Sequence, residues 1–142
     1  DLANEVATRL GVELVLQPID WDAKEMELSS GKIDCIWNGM TVNPERIATM
    51  YFTKPYIAND QVIIVPADSG ITTFADLEGK IVGLQKGSSS LDALNENPEL
   101  VASLAEVIEY TDNITAFLDL KVGRIDAFAV DEVAGRYIMV NN

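Results

Sequence analysis

Apolar residues follow two patterns along this chain, a helical spacing and short unbroken runs. Leu2, Val6 and Leu10 lie four residues apart and are followed by Gly11, which predicts a helix over residues 1–11. Short runs of apolar, β-prone residues predict six strands, at residues 12–19, 33–37, 61–66, 81–84, 107–110 and 127–130.

Helix-start and helix-stop residues lie between these runs. Asn followed by Pro marks two helix starts, because Asn caps a helix and Pro suits its first turn. Asn113 is the predicted cap of another helix, which Gly123 ends. The predicted helices after the first are at residues 23–30, from 43, 74–77, 87–94, 97–104, 113–122 and after 131. Strands and helices therefore alternate, which indicates an α/β fold with mostly parallel sheets and a polar boundary at residues 58–61.

Composition and motifs exclude several classes of function. Among 142 residues there are 23 acidic and 10 basic side chains, and this net charge of −13 argues against nucleic acid as a partner. There is no His, which excludes His-dependent catalysis and His-ligated zinc, and the single Cys35 offers no disulfide or thiol cluster. Dinucleotide-binding and P-loop patterns are missing as well, so no cofactor is expected.

Both ends of the chain differ from what a complete domain of this type would show. It opens on an amphipathic helix with no strand ahead of it, and it stops just after the apolar run at residues 137–140. It has neither a basic-then-apolar export signal nor a run of about 20 apolar residues that could cross a bilayer. We expect a piece of a longer chain, with an export signal either absent or already removed.

Residues with binding chemistry follow predicted strands, at the sheet edge where α/β proteins bind ligands. Arg46 comes after the run at 33–37, and its guanidinium fork suits a carboxylate. An ordinary surface ion pair between Arg46 and Glu45 or Glu5 is an equally good interpretation. Residues 87–90 (Gly-Ser-Ser-Ser) open a helix and either offer N–H groups to an anion or provide a plain serine cap, the commoner role.

Two further residues admit both a structural and a binding role. Asp131 lies where a strand meets a helix, so its carboxylate either caps that helix or holds an ammonium group. Trp21 is either core filler or a flat wall for the apolar stem of a ligand. No pair of carboxylates stands out for acid–base catalysis.

The order and spacing of these pieces resemble one family, the bacterial extracellular solute-binding proteins that deliver polar amino acids to ABC importers (family 3). The matching stretches are GMTVNPER at 39–46, FTKPY at 52–56, LEGK at 77–80, residues 85–90, and GRIDA at 123–127 before Asp131. The run from GMT to the arginine ahead of FTKPY is the specific part, and the likeness covers essentially the whole chain.

The resemblance implies the type II periplasmic-binding-protein fold in partial form. This is an α/β fold of two Rossmann-like lobes with mostly parallel sheets, joined by a hinge. Residues 1–60 would form part of lobe 1, and residues 61–142 would form lobe 2. A polar amino acid would bind in the cleft between the lobes and shift the hinge toward closure.

Roles for individual residues follow from the resemblance by position. Arg46 would clamp the α-carboxylate of the ligand, helped by the N–H groups of Thr41 and Ser89. Asp131, the Thr41 hydroxyl and the Gly39 carbonyl would hold the α-ammonium group. The other implied ligand-binding residues are Trp21 as an aromatic wall, Met40, Gln85, Ser88 and Val130.

Partners, location and alternatives also come from the resemblance. The partners would be a free amino acid and the membrane permease of an ABC importer, in the periplasm or, for a lipid-anchored protein, outside the cell. The family has a first strand and a final return segment that this sequence lacks, so a second chain could complete lobe 1. A cyclohexadienyl-dehydratase-like enzyme and the ligand-sensing domain of a receptor are the alternatives.

Overall fold

The computed structural model describes residues 2–142. Short 3₁₀ turns form at Trp21–Ala23 and Phe74–Leu77. The helices are α1 (Leu2–Leu10), α2 (Lys24–Ser29), α3 (Pro44–Thr49), α4 (Ser89–Asn95), α5 (Pro98–Ser103), α6 (Asn113–Lys121) and α7 (Glu132–Asn141). The strands are β1 (Gln61–Ile64), β2 (Ile81–Gln85), β3 (Glu106–Tyr110) and β4 (Ala127–Asp131). None of the helices within residues 2–142 combines the length and the apolar composition that a bilayer crossing requires.

All four strands form one sheet in the order β1–β4–β2–β3. Strands β3 and β4 both run parallel to β2, and β1 runs antiparallel to β4, so the predicted mostly parallel sheet is confirmed. Leu84 of β2 lies beside Ala129 of β4, and Gln61 lies beside Asp131. One edge of the sheet therefore holds the ends of β2 and β4 together with the start of β1, and this is the edge that positions the site.

The core lies on the two faces of this sheet and follows the twofold alternation of the strands. Val82 and Leu84 face one side with Ala127 and Ala129, whereas Phe128 faces the other. The first face is covered by α4 and α5, and the second by α6 and α7. All but one of the buried apolar residues among 2–142 belong to residues 61–142, which we call the C-terminal part.

Two of the six predicted strands are wrong. Residues 12–19 and 33–37 lie in the N-terminal part (residues 2–60) and have no strand structure. A strand is stabilised by pairing its backbone groups with a neighbour, and none of the described residues pairs with either segment. Leu16, which the pattern placed in a strand, is 79% exposed.

Most helix boundaries follow the predicted signals. The side chains of Asn43 and Asn97 accept the hydrogen bonds that cap α3 and α5. The prediction for α6 is wrong by one residue, because Asp112 and not Asn113 is the cap. The Asp112 carboxylate accepts a bond of 2.8 Å from the Thr115 N–H, and this bond lowers the pKa of Asp112.

Candidate functional site

Arg46 is the centre of the site. It lies in the first turn of α3, where its backbone N–H donates to the capping side chain of Asn43 at 2.9 Å. Its guanidinium is buried, with only 6% of the residue exposed. Nη1 donates to the Thr41 carbonyl at 2.9 Å and to Ser89 Oγ at 3.0 Å, and Nη2 donates to the Gly87 carbonyl at 3.3 Å. The guanidinium therefore joins the N-terminal part to the start of α4.

This buried cation has no acidic partner among residues 2–142. The ion pairs of the described residues do not include it, and Glu5, one of the partners considered, binds Arg9 at 2.7 Å instead. The interpretation of Arg46 as a surface ion pair is therefore wrong. A buried charge costs free energy unless it is paired, and bonds to neutral oxygens compensate only part of that cost. The arrangement suits the binding of an anion.

The segment that opens α4 lies against the N-terminal part. Gly87 has φ of +66°, and a Cβ there would lie 3.2 Å from the Asp22 Cα, so both conformation and space favour glycine. The Ser88 hydroxyl makes no cap bond, and its Oγ is buried without a hydrogen-bond partner among the described residues. The plain serine-cap interpretation therefore does not hold for Ser88. Ser90 Oγ donates to Gln61 Oε1 at 2.6 Å.

Asp131 ends β4 and points its carboxylate away from the helix that follows. Oδ1 accepts from Asn59 Nδ2 at 2.7 Å and from Gln61 Nε2. The Asp131 side chain makes no cap bond to α7, so its helix-cap interpretation is wrong; the Val133 N–H in the first turn of α7 donates to Asn59 Oδ1 at 3.4 Å instead. Within residues 2–142 its Oδ2 accepts no hydrogen bond, which leaves one carboxylate oxygen available to a donor.

Two chains of side-chain hydrogen bonds meet at the start of α4 and together form the site network. Asp131 binds Gln61 and Gln61 binds Ser90, whereas Arg46 binds Ser89, the residue before Ser90 in the chain. The structure therefore brings Thr41, Arg46, Ser89 and Asp131 to the sheet edge where β2 and β4 end. Opposite charges at the two ends of such a network can bind the two ends of a zwitterion.

Trp21 is half-buried in the first 3₁₀ turn and is not part of either core cluster. Its carbonyl accepts a bond of 3.2 Å from Lys24 Nζ, and the same ammonium nitrogen lies 5.2 Å from the centre of its ring. The core-filler interpretation of Trp21 is therefore not supported.

Lys24 is the buried charged residue beside Arg46 that sequence reasoning missed. It is only 5% exposed, and its Nζ also donates to the Gly87 carbonyl at 3.0 Å. Burial lowers the pKa of Lys24, and the nearby Arg46 charge lowers it further. Lys24 lies three residues after Trp21 and so on the same side of a helical turn, but this spacing alone does not predict that a lysine is buried.

A hollow of about 180 Å³ lies beside the two buried cations. Its lining combines Lys24 and Arg46 with Gly87 and Ser88. The remaining lining residues are Asn43, Leu91 and the acidic side chains Glu25, Glu45 and Asp92. Its volume corresponds to a few water molecules, or to a small polar group of a ligand.

Other predicted site residues lie outside the network. The Gln85 side chain donates to the Thr111 carbonyl at 3.2 Å and accepts from Asn113 at 3.1 Å. Val130 has its side chain in the core beneath α7. Gly39 and Met40 lie in the extended stretch before Thr41 and make no hydrogen bond with the network; an added Cβ at Gly39 would meet nothing within 4 Å.

Known proteins match this chain both in sequence and in structure. A family model described as bacterial extracellular solute-binding proteins, family 3, matches residues 1–128. The L-cystine-binding protein TcyJ of Escherichia coli strain K12 is 38% identical over 136 residues, which is 94% of this chain and 50% of that protein. The chain spans about half the length of the curated relatives it matches.

Solved structures are similar over nearly all of this chain. An ABC uptake transporter substrate-binding protein from Streptococcus pneumoniae with bound histidine superposes with a TM-score of 0.91 at 41% identity, covering 98% of this chain and 58% of that one. An ancestral arginine-binding protein bound to arginine gives 0.86 at 37% identity, covering 99% and 62%. The α/β fold class implied by the resemblance is confirmed for the part of the fold that this chain spans.

Proposed function

Since the chain belongs to the bacterial extracellular solute-binding proteins of family 3, we propose that it binds a free polar amino acid and delivers it to the permease of an ABC importer. Relatives and similar structures are named for binding cystine, arginine or histidine. All three are zwitterionic amino acids, which agrees with a site that has one basic and one acidic end.

The observation that carries the proposal is the buried Arg46 guanidinium. It lies between Thr41 and Ser89 and has no acidic partner among residues 2–142. It can therefore bind the α-carboxylate of a ligand without breaking an existing ion pair. A planar fork of donors matches a carboxylate in both charge and shape.

Asp131 completes the proposal at the other pole of the ligand. Its Oδ2 is available to accept a hydrogen bond from the α-ammonium group, while Asn59 and Gln61 hold Oδ1. The Thr41 hydroxyl and the Gly39 carbonyl would help to hold the same group. An amino acid would thus contact residues of both parts of the chain.

In this proposal each of the two parts of the chain binds one pole of the ligand. We assign residues 1–60 to part of lobe 1 and residues 61–142 to lobe 2. Arg46 belongs to the first and Asp131 to the second, so only a closed arrangement contacts both poles of the ligand. Ligand binding would shift the population toward that arrangement. Trp21 would form a wall for the ligand side chain, with Met40, Gln85 and Ser88 around it.

The location and further partners form part of the same proposal. We expect the protein to work in the periplasm or, with a lipid anchor, on the outside of the cell. The N-terminal part exposes apolar side chains such as Leu2 (61%) and Leu16 (79%), which a second chain or further residues of the same protein would cover. Light scattering separates the two sources, because only the first gives a dimer.

We propose binding without catalysis. Incubation with prephenate or arogenate, the substrates of a cyclohexadienyl dehydratase, should give no product above the uncatalysed rate. Product formed by the wild-type protein and lost in a site variant would contradict this part of the proposal.

Calorimetric titration with the standard amino acids tests the main proposal. We expect at least one polar amino acid to bind with a Kd in the micromolar range or below, a binding free energy of about −8 kcal/mol or better. Asp131→Asn should weaken that binding at least about tenfold. Asp68→Asn is the matched control, because Asp68 is exposed in the turn after β1 and is not part of the network. Absence of binding for every amino acid would contradict the proposal.

A further inference from the structure

Lys24 differs from the other lysines of the described chain in its degree of burial. The side chains of Lys32, Lys80 and Lys86 are between 41% and 61% exposed and each forms an ion pair. Lys24 is 5% exposed, and its ammonium donates to two backbone carbonyls instead. A full positive charge is therefore held in a desolvated place by neutral partners.

Three carboxylates and one cation lie near Lys24, and none of the carboxylates forms an ion pair with it. Asp22 is exposed and is already paired with Lys86 at 2.9 Å, and Asp92 is exposed to water, which screens it. Glu25 is half-buried but does not come within ion-pair distance. The remaining charge, Arg46, is positive and buried.

The charge of Lys24 lies against the ring of Trp21, which is the proposed wall for the ligand side chain. An aromatic face attracts a cationic side chain through its electron-rich surface. Here the ammonium of Lys24 already lies 5.2 Å from the centre of that ring. A second cation stacked on the other face of the ring would meet a weakened attraction, because Lys24 already lies 5.2 Å from the ring centre. It would also meet a like charge on the opposite side of the ring, and beside a protein surface water screens that repulsion only in part.

We propose that, because of Lys24, the site binds amino acids with neutral or acidic side chains more tightly than those with cationic side chains. This inference rests on the proposed function. Arg46 is matched by the ligand α-carboxylate and Asp131 by the α-ammonium group. Lys24 is then the unmatched charge beside the side-chain wall. A neutral side chain tolerates it, an acidic one is attracted by it, and a guanidinium or ammonium group is repelled.

Binding of L-arginine and L-citrulline measures this selection directly, because citrulline has nearly the same shape and an uncharged end group. Calorimetric titration of the purified protein should show citrulline binding at least about tenfold more tightly than arginine. Glutamine and ornithine form a second pair with the same expected order. A neutral amino acid that binds while every cationic one fails to bind also supports the inference.

Variants assign the selection to Lys24. Lys24→Met keeps the length of the side chain and removes the charge. The ratio of the affinity for citrulline to the affinity for arginine should therefore fall at least about fivefold. Lys24→Arg keeps the charge and should keep the ratio, which a purely structural role for the lysine would not predict. Lys32→Met is the matched control on an exposed lysine, paired with Glu27, and should leave the ratio of the two affinities unchanged. If Lys24→Met does not fold by circular dichroism, Lys24→Gln takes its place.

The outcomes distinguish this inference from the proposed function. If no amino acid binds, both are wrong. If arginine binds as tightly as citrulline to the wild-type protein, the proposed function stands and the selection by Lys24 is wrong. An unchanged ratio in a folded, uncharged Lys24 variant overturns the assignment to this residue.

Discussion

The two parts of the chain are organised around different interactions. The C-terminal part has a four-stranded sheet with an apolar cluster on each face. In the described N-terminal part only Ala7, Lys24 and Arg46 are buried, and two of these three carry a charge. Apolar burial holds the C-terminal part together, whereas the buried charges of the N-terminal part lie where it contacts Gly87 and Ser89.

Several contacts between the two parts are polar, unlike the apolar contacts within the C-terminal part. Lys24 and Arg46 both donate to the Gly87 carbonyl, and Asp22 pairs with Lys86. These contacts are polar and converge on the few residues between β2 and α4. Polar contacts of this kind contribute less to stability than apolar burial does, and contacts with a ligand can replace them.

The largest expected effect comes from the core of the C-terminal part. Phe128 is fully buried and packs against Phe117 with ring centroids 6.5 Å apart. Phe128→Ala should lower the free energy of unfolding by about 3–5 kcal/mol. Leu16→Ala in the N-terminal part should change it by about 0.5 kcal/mol or less, because that side chain is 79% exposed. Urea titration measures both, and equal losses would refute the contrast.

Replacing a glycine by alanine should also destabilise the C-terminal part more than the N-terminal part, with a smaller loss of stability than Phe128→Ala causes. A Cβ at Gly83 in β2 would lie 2.5 Å from Ile125 Cδ1 and 2.9 Å from Tyr110 Cε2. Gly83→Ala should therefore destabilise the protein by about 1–3 kcal/mol. Gly39→Ala meets no atom within 4 Å and should leave stability unchanged. Thermal unfolding of the two variants is the measurement, and a Gly39→Ala loss as large as that of Gly83→Ala would count against the comparison.

The smallest effect concerns acid stability. Hydrogen bonds from the backbone N–H groups and hydroxyls of Thr72 and Thr73 lower the pKa of Asp76 from 3.8 to about 2. Because this pKa is lower in the folded state, Asp76 stabilises the fold above pH 3.8, and the contribution is lost as the pH falls toward 2. Asp76→Asn should be less stable than wild type at pH 6, with the difference shrinking at pH 2. A difference that does not change with pH would exclude this role.

Local signals predicted most helix boundaries to within one residue, whereas the two wrong strands depend on non-local pairing. The caps at Asn43 and Asn97 depend on neighbours within three residues, so sequence alone identified them. The runs at 12–19 and 33–37 have the composition of strands, but strand formation needs a partner that no local pattern specifies.

The same distinction applies to the site. Arg46 and Asp131 stand beside predicted strand ends, and resemblance to a family supplied their roles. Lys24 escaped notice because its burial depends on Gly87, which is 63 residues away in the chain. A charged residue in a helical turn is normally a solvated one, and only the folded structure shows the exception.

The most direct test of the account is whether Arg46 binds the α-carboxylate of an amino acid. The measurement is the Kd of the tightest-binding amino acid and of its α-carboxamide, each titrated into wild type and Arg46→Met. We expect the wild type to prefer the free carboxylate by about 30-fold or more, and Arg46→Met to lose most of that preference. A variant that keeps wild-type affinity and the same preference would show that the carboxylate binds elsewhere.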